Sequence, residues 1–91
     1  MFIISGGRGT GKTRALLERA KAEGGIVVCR DPEKMRDRAH RYGIVGLDIV
    51  GYNDLYTVDS YTVSKPVYIH DINKFIEHNI PEAKGYTLSI D

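Results

Sequence analysis

The sequence predicts a small three-layer α/β domain built on a mostly parallel sheet with flanking helices. Three observations predict it. Short apolar, β-branched runs alternate with segments of helix-forming composition, and strands separated by helices imply crossover connections and hence parallel pairing. The length of 91 residues suits one thin core and a single domain over residues 1–91. A glycine-rich turn lies between the first apolar run and the first helix, the position of a ligand loop in such folds.

Phe2, Ile3 and Ile4 form a short apolar run that ends at Ser5-Gly6-Gly7 and reads as a buried, central strand feeding the glycine-rich loop. Lys12 to Glu23 (KTRALLERAKAE) is rich in helix formers, with Ala15, Leu16, Arg19 and Ala20 near one face, and Gly24-Gly25 stops it. Ile26-Val27-Val28-Cys29 is a continuous apolar run of the kind covered on both faces. Asp31 is a helix N-cap and Pro32 a first helical residue, opening a polar helix that ends near Gly43. Residues 44–63 hold short apolar pieces broken by Gly46, Gly51 and Asn53-Asp54, which predicts one or two short strands. Val67-Tyr68-Ile69-His70-Asp71 is a further strand ending in a carboxylate, Ile72 to Asn79 a short helix, and the alternation of Tyr86, Leu88 and Ile90 a terminal strand.

Composition narrows the function classes. Hydrophobic residues make up 42% and charged residues 27%, ordinary for a chain that folds in water. No apolar run approaches the ~20 residues that cross a bilayer, and the first residues lack the pattern of a signal peptide. The expected location is the cytoplasm, with no membrane partner. Cys29 is the one cysteine, so neither an intramolecular disulfide nor a cysteine-based zinc cluster can form, and its place at the end of an apolar run marks it as a core residue. The net charge of +1 conceals an uneven distribution, with ten Lys and Arg against five Asp and Glu in residues 1–41 and three against seven in residues 42–91. A basic first half suits an anionic ligand or a nucleic-acid surface, and equally a solvated helix.

The chemistry is carried by Gly6-Gly7-Arg8-Gly9-Thr10-Gly11-Lys12-Thr13, which satisfies G-x-x-x-x-G-K-[ST] at every fixed position. Its glycines let successive N–H groups turn inward at a helix N-terminus, where the helix dipole also favours an anion. A chance match is expected in about one chain in a few hundred of this length, and the strand-loop-helix context reduces that further. Lys12 is the residue to reach the outer phosphates and Thr13 the residue to ligate Mg²⁺.

The sequence therefore resembles the P-loop NTPases. The spelling GGRGTGKT, with a helix and then IVVCRD before a basic helix, is most similar to the opening of the ATPase domain of phage large terminase subunits, over about the first 40 residues. Terminases are far longer and carry a nuclease domain, so the resemblance implies a reduced relative of their motor domain. It implies ATP and Mg²⁺ as ligands, contacts from Gly6 through Arg14, and ATP hydrolysis coupled to DNA or a protein partner, in a homo-oligomer or alone. No N/T-K-x-D motif for reading guanine is present.

The same resemblance implies a second strand ending in Asp, whose carboxylate serves the metal. Val67-Tyr68-Ile69-His70-Asp71 admits two registers. In the favoured one Asp71 is the metal-associated and catalytic carboxylate beside Lys12 and Thr13; in the other His70 stands in its place and Asp71 takes that of a catalytic Glu. The first is preferred because imidazole is a poor ligand for Mg²⁺, and Asp71 also reads as an N-cap of the following helix. Either way the usual Asp-Glu pair is incomplete. Glu77, Asp48, Asp54 and Asp59 offer no convincing base. Positive charge for a transition state could come from Arg8, or in trans from Arg30, Arg36, Arg38 or Arg41. The incomplete pair keeps a second class open, a module that binds nucleotide without turnover and acts through protein contacts; a small-molecule kinase has little chain left for an acceptor pocket and lid.

Lesser patterns read more plainly. Lys34, Arg38 and Arg41 form a basic stripe that suits either nucleic-acid phosphates or solvent. Tyr52, Tyr56 and Tyr61 sit beside apolar residues and read as packing groups. His70, His78 and Asp71 match no strong zinc spacing.

Overall fold

The computed structural model describes residues 3–5, 11–54 and 65–88. In order these form α1 (Lys12–Glu23), β1 (Ile26–Cys29), α2 (Pro32–Arg41), β2 (Asp48–Gly51), β3 (Val67–Ile69) and α3 (Ile72–Asn79). The three strands make one parallel sheet in the order β2-β1-β3. Ile26 pairs with Asp48 on one side and Val67 on the other, and Val28 pairs with Val50 and Ile69.

All four residues of β1 are buried, as their apolar run requires. Val27 and Cys29 face Leu17 and Ala20 of α1 and Met35 and Ala39 of α2, with Ile44 and Ile49 completing the cluster. Ile26 and Val28 face the other way, against Tyr52, with Ile69 and Phe75 of α3 packed alongside. Period-two alternation thus gives each face of the strand its own helical cover. Each fully buried aliphatic side chain here contributes about 1.5–3 kcal/mol.

The helix ends follow local chemistry. Gly24 caps α1 at φ 65°, a left-handed conformation that glycine adopts without a Cβ penalty. Asp31 caps α2 by accepting a hydrogen bond from the Lys34 N–H at 3.2 Å, with Pro32 at the first helical position. Gly25 is needed for space: a Cβ there would lie 2.8 Å from both the Pro66 carbonyl oxygen and the Tyr68 ring. That close approach lets the Ile26 N–H reach the Pro66 carbonyl at 2.8 Å and start the β1–β3 pairing.

The structure departs from the sequence pattern at several points. The centre of the described sheet is β1, whose two sides are filled by β2 and β3, so the apolar N-terminal run does not hold the central place; residues 3–5 form no strand, and Phe2 lies outside the described residues. β3 stops at Ile69 rather than running to Asp71, because the chain turns into α3 there. Residues 44–54 supply one strand, and 55–64, with Tyr56, Asp59 and Tyr61, lie outside the described residues. Residues 83–88 are exposed and irregular rather than a terminal strand; Tyr86 is held instead by a hydrogen bond to Asn73 Oδ1, and Ile90 lies outside.

Gly25→Ala is expected to cost about 1–3 kcal/mol by overpacking against Pro66 and Tyr68. Gly85→Ala, where a Cβ meets nothing, should stay within about 0.5 kcal/mol; urea unfolding of both variants checks the pair.

Candidate functional site

Because the sheet is parallel, all three strands finish at the same edge, where ligands of open α/β sheets bind. Cys29, Gly51 and Ile69 end there. Gly11, in the left-handed region at φ 75°, turns the chain into α1. Lys12 and Thr13 follow as its first residues; Gly6, Gly7, Arg8, Gly9 and Thr10 lie outside the described residues.

Thr13 is buried at 8% exposure, and its Oγ1 lies 3.2 Å from His70 Nε2. The contact joins residues 57 apart in sequence, the glycine-rich motif and the end of β3. His70 is positioned by its backbone, whose N–H donates to the Val28 carbonyl at 2.8 Å and so extends the β1–β3 ladder by one rung. Its carbonyl accepts from the Tyr52 hydroxyl at 2.9 Å, and the same hydroxyl lies 3.2 Å from the Asp71 carbonyl. Tyr52 is itself 5% exposed, edge-on to Phe75 with ring centroids 5.3 Å apart. One side chain from the end of β2 thereby ties down the turn between β3 and α3.

That turn holds Asp71 at φ 61° and ψ 74°, the sole non-glycine with positive φ among the described residues. Such a conformation costs on the order of 1–3 kcal/mol. Asp71 does precede α3, and its carbonyl accepts the Phe75 N–H at 3.1 Å, but its carboxylate makes no capping bond and is exposed. The side chain brought to Thr13 is therefore His70, one residue earlier than the favoured register expects.

Burial pushes the His70 pKa below its ordinary value; Asp71 opposes that, while Arg38 and Lys12 reinforce it. The imidazole is neutral near pH 7, with one nitrogen donating and the other accepting. Burial, then the charge of Asp71, raises the Tyr52 hydroxyl to about 12, and burial raises the Cys29 thiol to about 11, so both stay protonated.

The remaining candidates are distributed elsewhere. Arg14 is exposed, 3.7 Å from Glu18 and stacked 5.4 Å over the Tyr42 ring. Asp48 pairs with Lys65 at 2.6 Å, at the start of β2 and so at the opposite edge of the sheet. Glu77 lies 3.8 Å from Lys74, and His78 bonds Asn53 at 2.7 Å. Arg36 donates to the Ile49 carbonyl at 3.5 Å. No cluster of three His, Cys, Asp or Glu side chains is formed among the described residues. No helix among them is long and apolar enough to cross a membrane.

The sequence marks Tyr52 as a packing residue, and no local pattern reveals the role of its hydroxyl, since the acceptors are carbonyls of the turn between β3 and α3. Comparison with protein-family models, with curated proteins and with solved structures gives no match.

Two outcomes follow from this geometry. Tyr52→Phe keeps the ring and removes the bonds to the His70 and Asp71 carbonyls, and is expected to cost about 1–3 kcal/mol in urea unfolding. The unfolded chain takes up a proton on His70 near its ordinary pKa of 6.5 while the folded chain takes it up lower. Acid therefore favours the unfolded state: the His70 contribution is complete above 6.5 and declines as pH falls toward the folded value. Unfolding free energies from about pH 8 to about pH 5 should decline, and His70→Gln should reduce the slope.

Proposed function

We propose that this chain is a Mg²⁺-dependent, ATP-binding P-loop protein, with the nucleotide phosphates held by residues 6–13 and turnover at the edge where the three strands end. The observation that carries this reading is the pairing of Thr13 with the end of β3 across 57 residues, the juxtaposition such a motif needs between its hydroxyl and a following strand. It is supported by the left-handed turn at Gly11 directly before Lys12.

Lys12 offsets phosphate charge, and Arg14 stands at the outer end of the contact set. Thr13 supplies an oxygen ligand of the class Mg²⁺ prefers, the remaining ligands being phosphate oxygens and water. When bound, the ion would neutralise charge on the outer phosphates. His70 is no direct ligand for so hard a cation, but a neutral imidazole can accept a hydrogen bond from a water at that edge. Asp71, exposed on its constrained turn, is the carboxylate available to orient an attacking water. Reduced phage-type motor domains are the family this reading fits, with coupling to DNA or a protein partner and assembly into a homo-oligomer.

A second reading is favoured by one observation. The group beside Thr13 is an imidazole, not a carboxylate, which suits a module that holds nucleotide without turnover and acts through protein contacts.

Phosphate release from Mg-ATP, with and without single- or double-stranded DNA, separates the two. Hydrolysis lowered about 10²–10³-fold in Lys12→Ala and in Asp71→Ala supports the ATPase. A Mg-ATP-dependent rise in Tm without release, lost in Lys12→Ala, supports the binding module. Release unchanged in both variants contradicts the assignment.

A further inference from the structure

A pocket of about 200 Å³, lined on one side by His70, opens between the first turns of α2 and α3. Arg30, Lys34 and Arg38 reach it from the β1–α2 connection and α2, and Lys74 reaches it from α3. Asp31 and Asp71 are the two carboxylates on its wall, and Glu77, off the wall, lies 3.8 Å from Lys74, so the four cations face three carboxylates. Asp31 caps α2 there, accepting the Lys34 backbone N–H at 3.2 Å.

The cations come from both faces of the sheet. Lys34 and Arg38 belong to a helix packed on the Val27 face and Lys74 to one packed on the Val28 face. Arg41, which continues the basic stripe in sequence, does not line the pocket. The arrangement is thus a convergence on one point and not a track along α2. The N-termini of two helices open at the same place, which adds positive potential. The floor adds no opposing charge: Cys29 and Met35 are buried and apolar in character.

We propose that this pocket, which shares His70 and Asp71 with the edge assigned above to Mg-ATP, binds a phosphate monoester through cations other than Lys12. Opposed lysines and arginines meet a tetrahedral dianion from several directions, as a planar monoanionic carboxylate would not require. The volume is below the ~300–1,000 Å³ of sites that enclose a whole small ligand. It therefore suits the phosphate head alone, with the ester substituent projecting outward. That substituent belongs either to a small sugar phosphate or to a nucleic-acid 5′ end.

The test is calorimetric titration of the full-length chain with ribose 5-phosphate and with ribose. A second pair of titrants is a short single-stranded oligonucleotide carrying a 5′-phosphate and the same oligonucleotide with a 5′-hydroxyl. Lys34, Arg38 and Lys74 are exposed, so the double variant Lys34→Ala/Arg38→Ala and the single variant Lys74→Ala should fold, which far-UV circular dichroism checks. Saturable, one-to-one binding of a phosphorylated titrant is expected, weakened about tenfold or more in the double variant and in the same direction in Lys74→Ala. Lys12→Ala, which removes a charge that acts on His70 at the pocket wall, should weaken binding less than the double variant does. Preference for the sugar phosphate identifies a small-molecule source, and preference for the phosphorylated oligonucleotide over its hydroxyl form identifies a nucleic-acid end. Failure of both phosphorylated titrants to saturate overturns the proposal. So does binding that is lost in Lys12→Ala and kept in the double variant, or equal binding of the two oligonucleotides with no binding of the sugar phosphate.

Discussion

Pairing of Ile26–Cys29 on both edges, with both faces buried, is the constraint from which the site follows. A strand in that position can satisfy its backbone only through two neighbours, and here β2 and β3 both run parallel to it. Parallel pairing requires a crossover before each neighbour, and it sends the ends of all three strands to one edge. Cys29, Tyr52 and His70 meet there for that reason, although they are scattered along the sequence. The Tyr52 hydroxyl then fixes the turn after β3, and the Thr13–His70 contact attaches the start of α1 to it.

The polar link between motif and strand joins two uncharged groups. A hydrogen bond of this kind contributes about 0.5–1.5 kcal/mol, against about 1.5–3 kcal/mol for one to a charged group. A carboxylate at position 70 would hold Thr13 more tightly and bring negative charge toward a cation. The imidazole does neither, and burial keeps it neutral. Asp71 supplies the negative charge from the next position, but on an exposed side chain held by a left-handed turn. The orientation of that carboxylate is set by the turn, which the Tyr52 hydroxyl holds through the His70 and Asp71 carbonyls.

The helices and two of the strands were legible because their signals are local. Asp31-Pro32 marks the start of α2, Gly24-Gly25 the end of α1, and the unbroken run Ile26–Cys29 a strand buried on both faces. The central place of that strand was not legible, since strand order depends on which edges the crossovers leave open, and no residue type encodes it. The alternation of Tyr86 and Leu88 suggested a strand but carries no partner with it, and the structure ties that segment to α3 through Asn73 instead. At the candidate site, the start of α1 at Lys12 and Thr13 was readable from the sequence alone. The choice between His70 and Asp71 was not, because a one-residue difference in where β3 ends exchanges the side chain that faces Thr13.

If Lys12, Thr13 and the end of β3 form the proposed site for the phosphates of Mg-ATP, they respond to it together. Titration of the isotope-labelled chain with Mg-ATP, followed by backbone amide shifts in NMR, tests it most directly. Saturable shifts are expected at Gly11, Lys12, Thr13 and His70 together, all abolished in Lys12→Ala. Absence of saturable shifts, or shifts confined to residues away from that edge and unchanged in Lys12→Ala, would contradict it.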